Sequence, residues 1–142
     1  MHEAALLYDT HAWVWSAGGD AGQLGPASRS AIEAAEEAGL LHVAAISVWE
    51  VAMLHARGRL ALALDLDQWV ERALRAPGTR LLPLEPAIAI ESTRLPGEFR
   101  GDPADHILVA SARITGARLL TRDRAILEYA RAGYCPVLDA GR

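Results

Sequence analysis

Four acidic residues stand where a folded chain could gather them: Asp9, Glu50, Asp105 and Asp123. Asp9 closes the apolar run that begins at Ala4. Asp123 lies just beyond a second apolar run, in Leu119-Leu120-Thr121-Arg122-Asp123. Glu50 and Asp105 are each expected in the first turn of a helix that follows a loop. Carboxylates grouped in this way are hard oxygen ligands. They suit Mg²⁺, with Mn²⁺ as the alternative, because such ions keep several waters and take few side chains. Zinc is disfavoured: His2, His11, His42, His55 and His106 lack ligand spacing, and there is a single cysteine, Cys135. Most of these histidines are expected at the surface. His11 and His106, each beside a favoured acid, are candidates for supporting a bound ion through its ligands.

Each acid also has an ordinary structural job. Asp9 can cap the helix that opens Thr10-His11-Ala12-Trp13. Ser47-Val48-Trp49-Glu50 has the spacing of a capping box, in which Glu50 would reach back to the amide of Ser47. In Gly101-Asp102-Pro103-Ala104-Asp105-His106, Pro103 suits the first helical position, which makes Asp102 the N-cap and Asp105 the third residue. Asp102 is thereby committed to backbone amides, and Asp105, at the mouth of an apolar helix, is the better ligand candidate. Asp123 can cap the helix carrying Ile126 and Tyr129. Singly these jobs suffice; four acids at one end of one sheet imply more.

The elements that would position them alternate between short apolar runs and longer helical patterns, which implies an α/β fold with a mostly parallel sheet of about five strands. Strands are expected at residues 4–8, 40–44, 80–84, 118–121 and 136–138. Helices are expected at 26–38, 47–57, 66–76, 86–94, 103–115 and 124–132, with Pro26 suited to a first turn and Gly39 to a C-cap. Parallel sheets expose functional groups at the carboxyl ends of their strands, which is where the acids fall.

The 142 residues suffice for one domain, read as 1–142, with 51% hydrophobic content. No stretch reaches the roughly 20 apolar residues of a spanning helix, so no membrane partner is expected. The first apolar run reads as a buried strand and not a leader. The lone Cys135 points to a reducing, cytoplasmic setting. A formal charge of −4 excludes nucleic-acid binding by bulk positive charge, but a cation in a carboxylate pocket would reverse the local field and admit a phosphodiester. All fourteen basic residues are Arg.

The ordered segments Leu6-Leu7-Tyr8-Asp9-Thr10-His11-Ala12-Trp13, Ile46-Ser47-Val48-Trp49-Glu50-Val51-Ala52 with Gly58-Arg59-Leu60, Asp102-Pro103-Ala104-Asp105-His106-Ile107-Leu108, and Leu119-Leu120-Thr121-Arg122-Asp123-Arg124 carry a resemblance. Together they make the chain similar to the PIN-domain ribonucleases, in particular the VapC-like toxins of bacterial toxin–antitoxin pairs. The resemblance runs to about Tyr129. It implies a single three-layer PIN-like domain, and Mg²⁺-dependent hydrolysis of RNA at Asp9, Glu50, Asp105 and Asp123, with Thr121 as the hydroxyl near the fourth acid. Thr10 and Arg122 are candidates for supporting the ligands or holding substrate, with Arg124 a further backbone clamp. The implied partners are an RNA substrate, a cognate antitoxin and a second copy in a homodimer. A common family form has Arg after the third acid, where this chain has His106.

Receiver domains and haloacid-dehalogenase-like phosphatases also place Asp after a first parallel strand. Both need a Lys, and the latter a DxD pair, so both are excluded. A structure-directed 5′-nuclease of related fold stays open as an alternative, although 142 residues leave little room for the extra helices that thread DNA. The alternatives are a partner-binding domain of the same fold without catalysis, and a nuclease outside any toxin–antitoxin pair. Trp13 and Trp15 lie about 200° apart on a helix, so one of them is expected near the surface as a docking point for a partner helix.

Overall fold

The computed structural model describes residues 4–142, and His2 lies outside the described residues. Five parallel strands form the sheet: β1 (Leu6–Tyr8), β2 (Leu41–Ala44), β3 (Thr79–Leu82), β4 (Arg118–Thr121) and β5 (Val137–Asp139). Their spatial order is β3-β2-β1-β4-β5. The chain first builds outward on one side of β1 and then returns to its other side. The change of direction falls between β1 and β4, where Tyr8 pairs with Leu120. In open parallel sheets such a switch point opens a crevice at the strands' carboxyl ends.

Alternation along the strands fills two faces. Leu6, Tyr8, Val43 and Leu120 join one apolar cluster with Trp13 and Trp69, whereas Leu7 and Leu119 join the other with Leu108, Val109 and Ile126. Helices α1 (Thr10–Ala17), α2 (Pro26–Ala38), α3 (Ala45–Ala56) and α4 (Leu66–Leu74) contribute to the first; α6 (Pro103–Thr115) and α7 (Arg124–Ala130) contribute to the second, with α5 (Pro86–Ser92) packed on α6. The result is a three-layer α/β fold. Among the described residues, no helix is long and apolar enough to cross a membrane.

The expected helix starts at Pro26, Leu66, Pro86, Pro103 and Arg124 are those observed, while several ends fall short of the expectation. Gly39 ends α2 in the left-handed conformation at φ 69°, which a glycine adopts without a Cβ clash. One expectation is overturned. Helix α3 begins at Ala45, directly after β2, with Ala44 as an N-cap that offers no side-chain acceptor. Ser47 is therefore the third helical residue and Glu50 the sixth, more than one turn in, so the two form no capping box. The reversal is too tight for a connecting loop, and packing fixes the helix start where capping chemistry would not.

Candidate active site

The site begins where β1 ends. Asp9 is 8% exposed, and its backbone amide still donates to Leu120 of β4 at 2.9 Å. Its side chain caps α1: Oδ1 accepts from the Thr10 amide at 2.7 Å, and Oδ2 accepts from the Thr121 hydroxyl at 2.6 Å. Thr121 is wholly buried, and its oxygen also accepts from the Asp123 amide at 2.9 Å. One hydroxyl thus ties the ends of β1 and β4 to the residue that caps α7, where Asp123 Oδ1 accepts from Ile126 N at 3.0 Å.

Thr10 performs the matching task on the other side. Its buried hydroxyl donates to Glu50 Oε1 at 2.6 Å and shares a 2.9 Å hydrogen bond with Ser47 Oγ. Glu50 is in this way drawn to β1 from within α3, while Ser47, buried beneath it, supports the contact. Asp102 and Asp105 form a true capping box on α6. Asp102 Oδ1 accepts from the Asp105 amide at 2.9 Å, and Asp105 Oδ2 accepts from the Asp102 amide at 3.3 Å.

The charges report on one another. Burial raises the Asp9 carboxyl above the ordinary range, Asp123 adds to the rise, and hydrogen bonds from Thr121 and Thr10 with the nearby His11 oppose it. Burial likewise raises Glu50; Thr10 opposes this, and Asp102 and Asp9 reinforce it. Asp105 is pushed up to about 7 by burial and then by Asp102, Asp9 and Asp123. Asp9, Glu50, Asp105 and Asp123 thus belong to one electrostatic neighbourhood that is short of positive charge.

The donor chemistry fits a hard divalent cation, since every candidate is a carboxylate oxygen. Among the described residues, however, no three His, Cys, Asp or Glu side chains stand close enough to surround one ion. An all-protein cage is not what a Mg²⁺ site requires, because the ion retains waters and takes one or two carboxylates together with substrate oxygens.

The matching family is the PIN domain, over residues 6–132. The chain belongs to the PIN-domain family. This PIN domain is 38% identical over 122 residues to Ribonuclease VapC22 of Mycobacterium tuberculosis, covering 85% of this chain and 88% of that protein. Among solved structures, a toxin-antitoxin complex from Klebsiella pneumoniae matches with a TM-score of 0.61, covering 96% of this chain and 98% of that one. At 19% identity, that likeness concerns the fold.

Around the acids of this PIN domain the remaining candidates separate. Arg122 Nη1 donates to Gln23 Oε1 at 2.9 Å, and its guanidinium lies 5.8 Å over the ring of Trp15, so it is braced on α1 and the turn that follows. Arg124 is exposed at the first position of α7. His11 and His55 are exposed, whereas His42 and His106 are half-buried. The His106 Nδ1 donates to the carbonyl of Asp102 at 2.8 Å, which steadies the capping box. Trp13 is corrected as a docking residue: it is 1% exposed, its ring 5.0 Å from that of Trp69, and so it belongs to the core. Trp15 is half-buried at the margin of the same cluster. Two features escaped the sequence. Ser47 looked like a cap but is buried against Thr10, and Trp49, for which the sequence carried no expectation, is 56% exposed. The start of α3 at Ala45, two residues earlier than expected, sets both positions.

Proposed function

We propose that this chain is a divalent-cation-dependent endoribonuclease that acts as the toxin of a toxin–antitoxin pair in the cytoplasm. The observation that carries the reading is the Asp9–Thr121–Asp123 link at the switch point, joined through Thr10 to Glu50 and coupled by charge to Asp105. The 38% identity to a protein named a ribonuclease supports RNA as substrate. The fold shared with a chain of a toxin-antitoxin complex supports an antitoxin partner. A homodimer is the expected assembly, by resemblance to the VapC-like toxins. The lone Cys135 is buried, with its thiol pushed up to about 11, and suits a reducing compartment.

Asp9, Glu50, Asp105 and Asp123 would hold the ion, Mg²⁺ by preference and Mn²⁺ as an alternative. When bound, it supplies positive charge for the phosphodiester and acidity for an attacking water. The protein's own part is positional. Thr121 and Thr10 fix the carboxylate planes of Asp9 and Glu50, and the buried strand ends exclude bulk water from Asp9. Without a cation, burial and the neighbouring acids raise Asp105 toward neutrality; a bound cation would offset that repulsion and favour its charged form.

Incubation of the purified chain with total RNA, with and without Mg²⁺, followed by mapping of the cleaved ends, tests the reading. Cleavage is expected only with the cation and is expected to vanish in Asp9→Asn, whose fold is checked by circular dichroism. Cation-independent cleavage, or full activity in Asp9→Asn, refutes it. An inactive wild type that still binds a cognate antitoxin would favour the partner-binding alternative.

A further inference from the structure

A cleft of about 360 Å³ lies outside the four-carboxylate set, and none of those acids lines it. It opens between residues 98–100 and α7. Its walls are aromatic: the rings of Phe99 and Tyr129 lie 5.1 Å apart, and those of Tyr129 and Tyr134 also 5.1 Å. The Tyr129 hydroxyl donates to the carbonyl of Pro96, which occupies its polar end within the protein. Glu98, Arg100 and Glu128 complete the lining with charge.

The cleft is joined to the acids at two places. Phe99 packs on His106, with ring centroids 4.8 Å apart, immediately beyond Asp105. A Cβ built on Gly101 would meet Phe99 Cζ at 2.4 Å and Asp105 Cβ at 2.8 Å, so ring and carboxylate flank one glycine. On the opposite wall, Ala125 lies two residues after Asp123. The cleft therefore shares the Phe99–Gly101–Asp105 segment with the acid set.

The lining selects its occupant. Aromatic walls favour a flat π-face, as in the stacking of single-stranded bases on Phe and Tyr. Glu98 and Glu128 repel a phosphate, yet they can accept from an exocyclic amino group, and Arg100 can donate to a ring acceptor. Arg100 and Glu98 are paired at 3.2 Å and exposed, so either is available to a base edge at little cost. We propose that the cleft receives one unstacked nucleobase of a single-stranded RNA, adjacent to the phosphodiester held at the carboxylates, and that Phe99 is its stacking platform. The assignment rests on the nuclease reading and adds base selection to it.

The test uses the full chain and short single-stranded oligoribonucleotides carrying 2-aminopurine at each position in turn, with fluorescence followed by stopped flow in Mg²⁺ and cut sites mapped in parallel. Quenching is expected at one position flanking the cut. Phe99→Ala is expected to weaken binding at that position about tenfold and Phe99→Tyr to preserve it. Ala132→Leu, an exposed substitution on the cleft wall that leaves the aromatic packing intact, is expected to reduce quenching in the same way and guards against misfolding of Phe99→Ala. Cleavage with unchanged quenching in both Phe99→Ala and Ala132→Leu overturns the base site and leaves the nuclease reading standing. Quenching that depends on Phe99 without any cleavage supports the base site and removes the nuclease reading. Neither quenching nor cleavage removes both.

Discussion

Replacing Asp105 with Asn tests the proposed shortage of positive charge without altering the helix cap, because the Asn oxygen can still accept from the Asp102 amide. In the folded protein the Asp105 carboxyl retains its proton up to about pH 7, against an ordinary value of 3.8. Between those values the unfolded chain binds fewer protons than the folded one, so stability falls as pH rises from about 4 to about 7. Taken whole, the difference corresponds to about 4 kcal/mol. Asp105 is only partly buried, and solvent screening reduces this to about 1–2 kcal/mol. With metal removed by chelation, Asp105→Asn at pH 8 is expected to melt roughly 3–6 °C above wild type for a chain of this size, and the gap is expected to narrow steadily as pH falls to about 5, on its way to closing near about pH 4. Mg²⁺ should reverse the order. At a concentration one hundred times the dissociation constant it stabilises wild type by about 2.7 kcal/mol, and the variant by less for want of a ligand. Differential scanning fluorimetry from pH 5 to pH 8, with chelator and with Mg²⁺, reads both effects. A constant offset between the two proteins across that range would show that Asp105 titrates normally and stands apart from the other acids, and the coupled-cluster argument would fail.

Thr121→Val keeps the shape of β4 but leaves Asp9 Oδ2 without its donor and the Asp123 amide without its acceptor. A loss of about 1–3 kcal/mol in chemical denaturation is expected, together with reduced cleavage; unchanged stability would mean that water replaces the hydroxyl freely. Asp102→Asn should retain both cap and activity, whereas Asp102→Ala should lower stability by roughly 1 kcal/mol; loss of cation binding in Asp102→Asn alone would exchange the roles of Asp102 and Asp105. Trp13→Ala should cost about 3–5 kcal/mol through the cavity it leaves against Trp69. Trp15→Ala should remain folded and weaken antitoxin binding by about 2 kcal/mol or more, measured by calorimetry, if the partner seats on it as a hot spot; unaltered affinity would place the partner elsewhere.

The parts of the fold that were legible in the sequence are those set by local chemistry. Proline at a first helical position fixed the starts at Pro26 and Pro103, and the Asp102-Pro103-Ala104-Asp105 grammar distinguished a capping acid from its neighbour. What was not legible depends on packing. Nothing in Val43-Ala44-Ala45-Ile46 announces a helix start, so Ser47 was given a cap that the fold does not need, and Glu50 was placed a turn too early. The hydrophobic pattern of α1 is similarly uninformative about which of Trp13 and Trp15 enters the core, because α1 is apolar on most sides and Trp15 is half-covered in any case. Phe99 lies between turn signals, and its relation to Asp105 emerges only when Gly101 lets the two approach.

Capping and metal binding are therefore not competing explanations of the same acids. Asp9 and Asp123 cap α1 and α7 because those helices start at the carboxyl ends of β1 and β4, and Asp105 closes the box at the start of α6. A carboxylate oxygen offers two lone pairs, and a single amide uses one of them. Asp123 commits only Oδ1 to Ile126, and Asp105 commits only Oδ2, through a long 3.3 Å contact. The helix N-termini that hold these acids also bring partial positive charge toward them, an effect of about 0.3–1 kcal/mol each. That is too little to cancel the combination of burial and repulsion that raises Asp105 to about 7. Helix starts gather Asp9, Asp105 and Asp123 and orient one edge of each, and the remaining electrostatic deficit is what the proposed cation would satisfy.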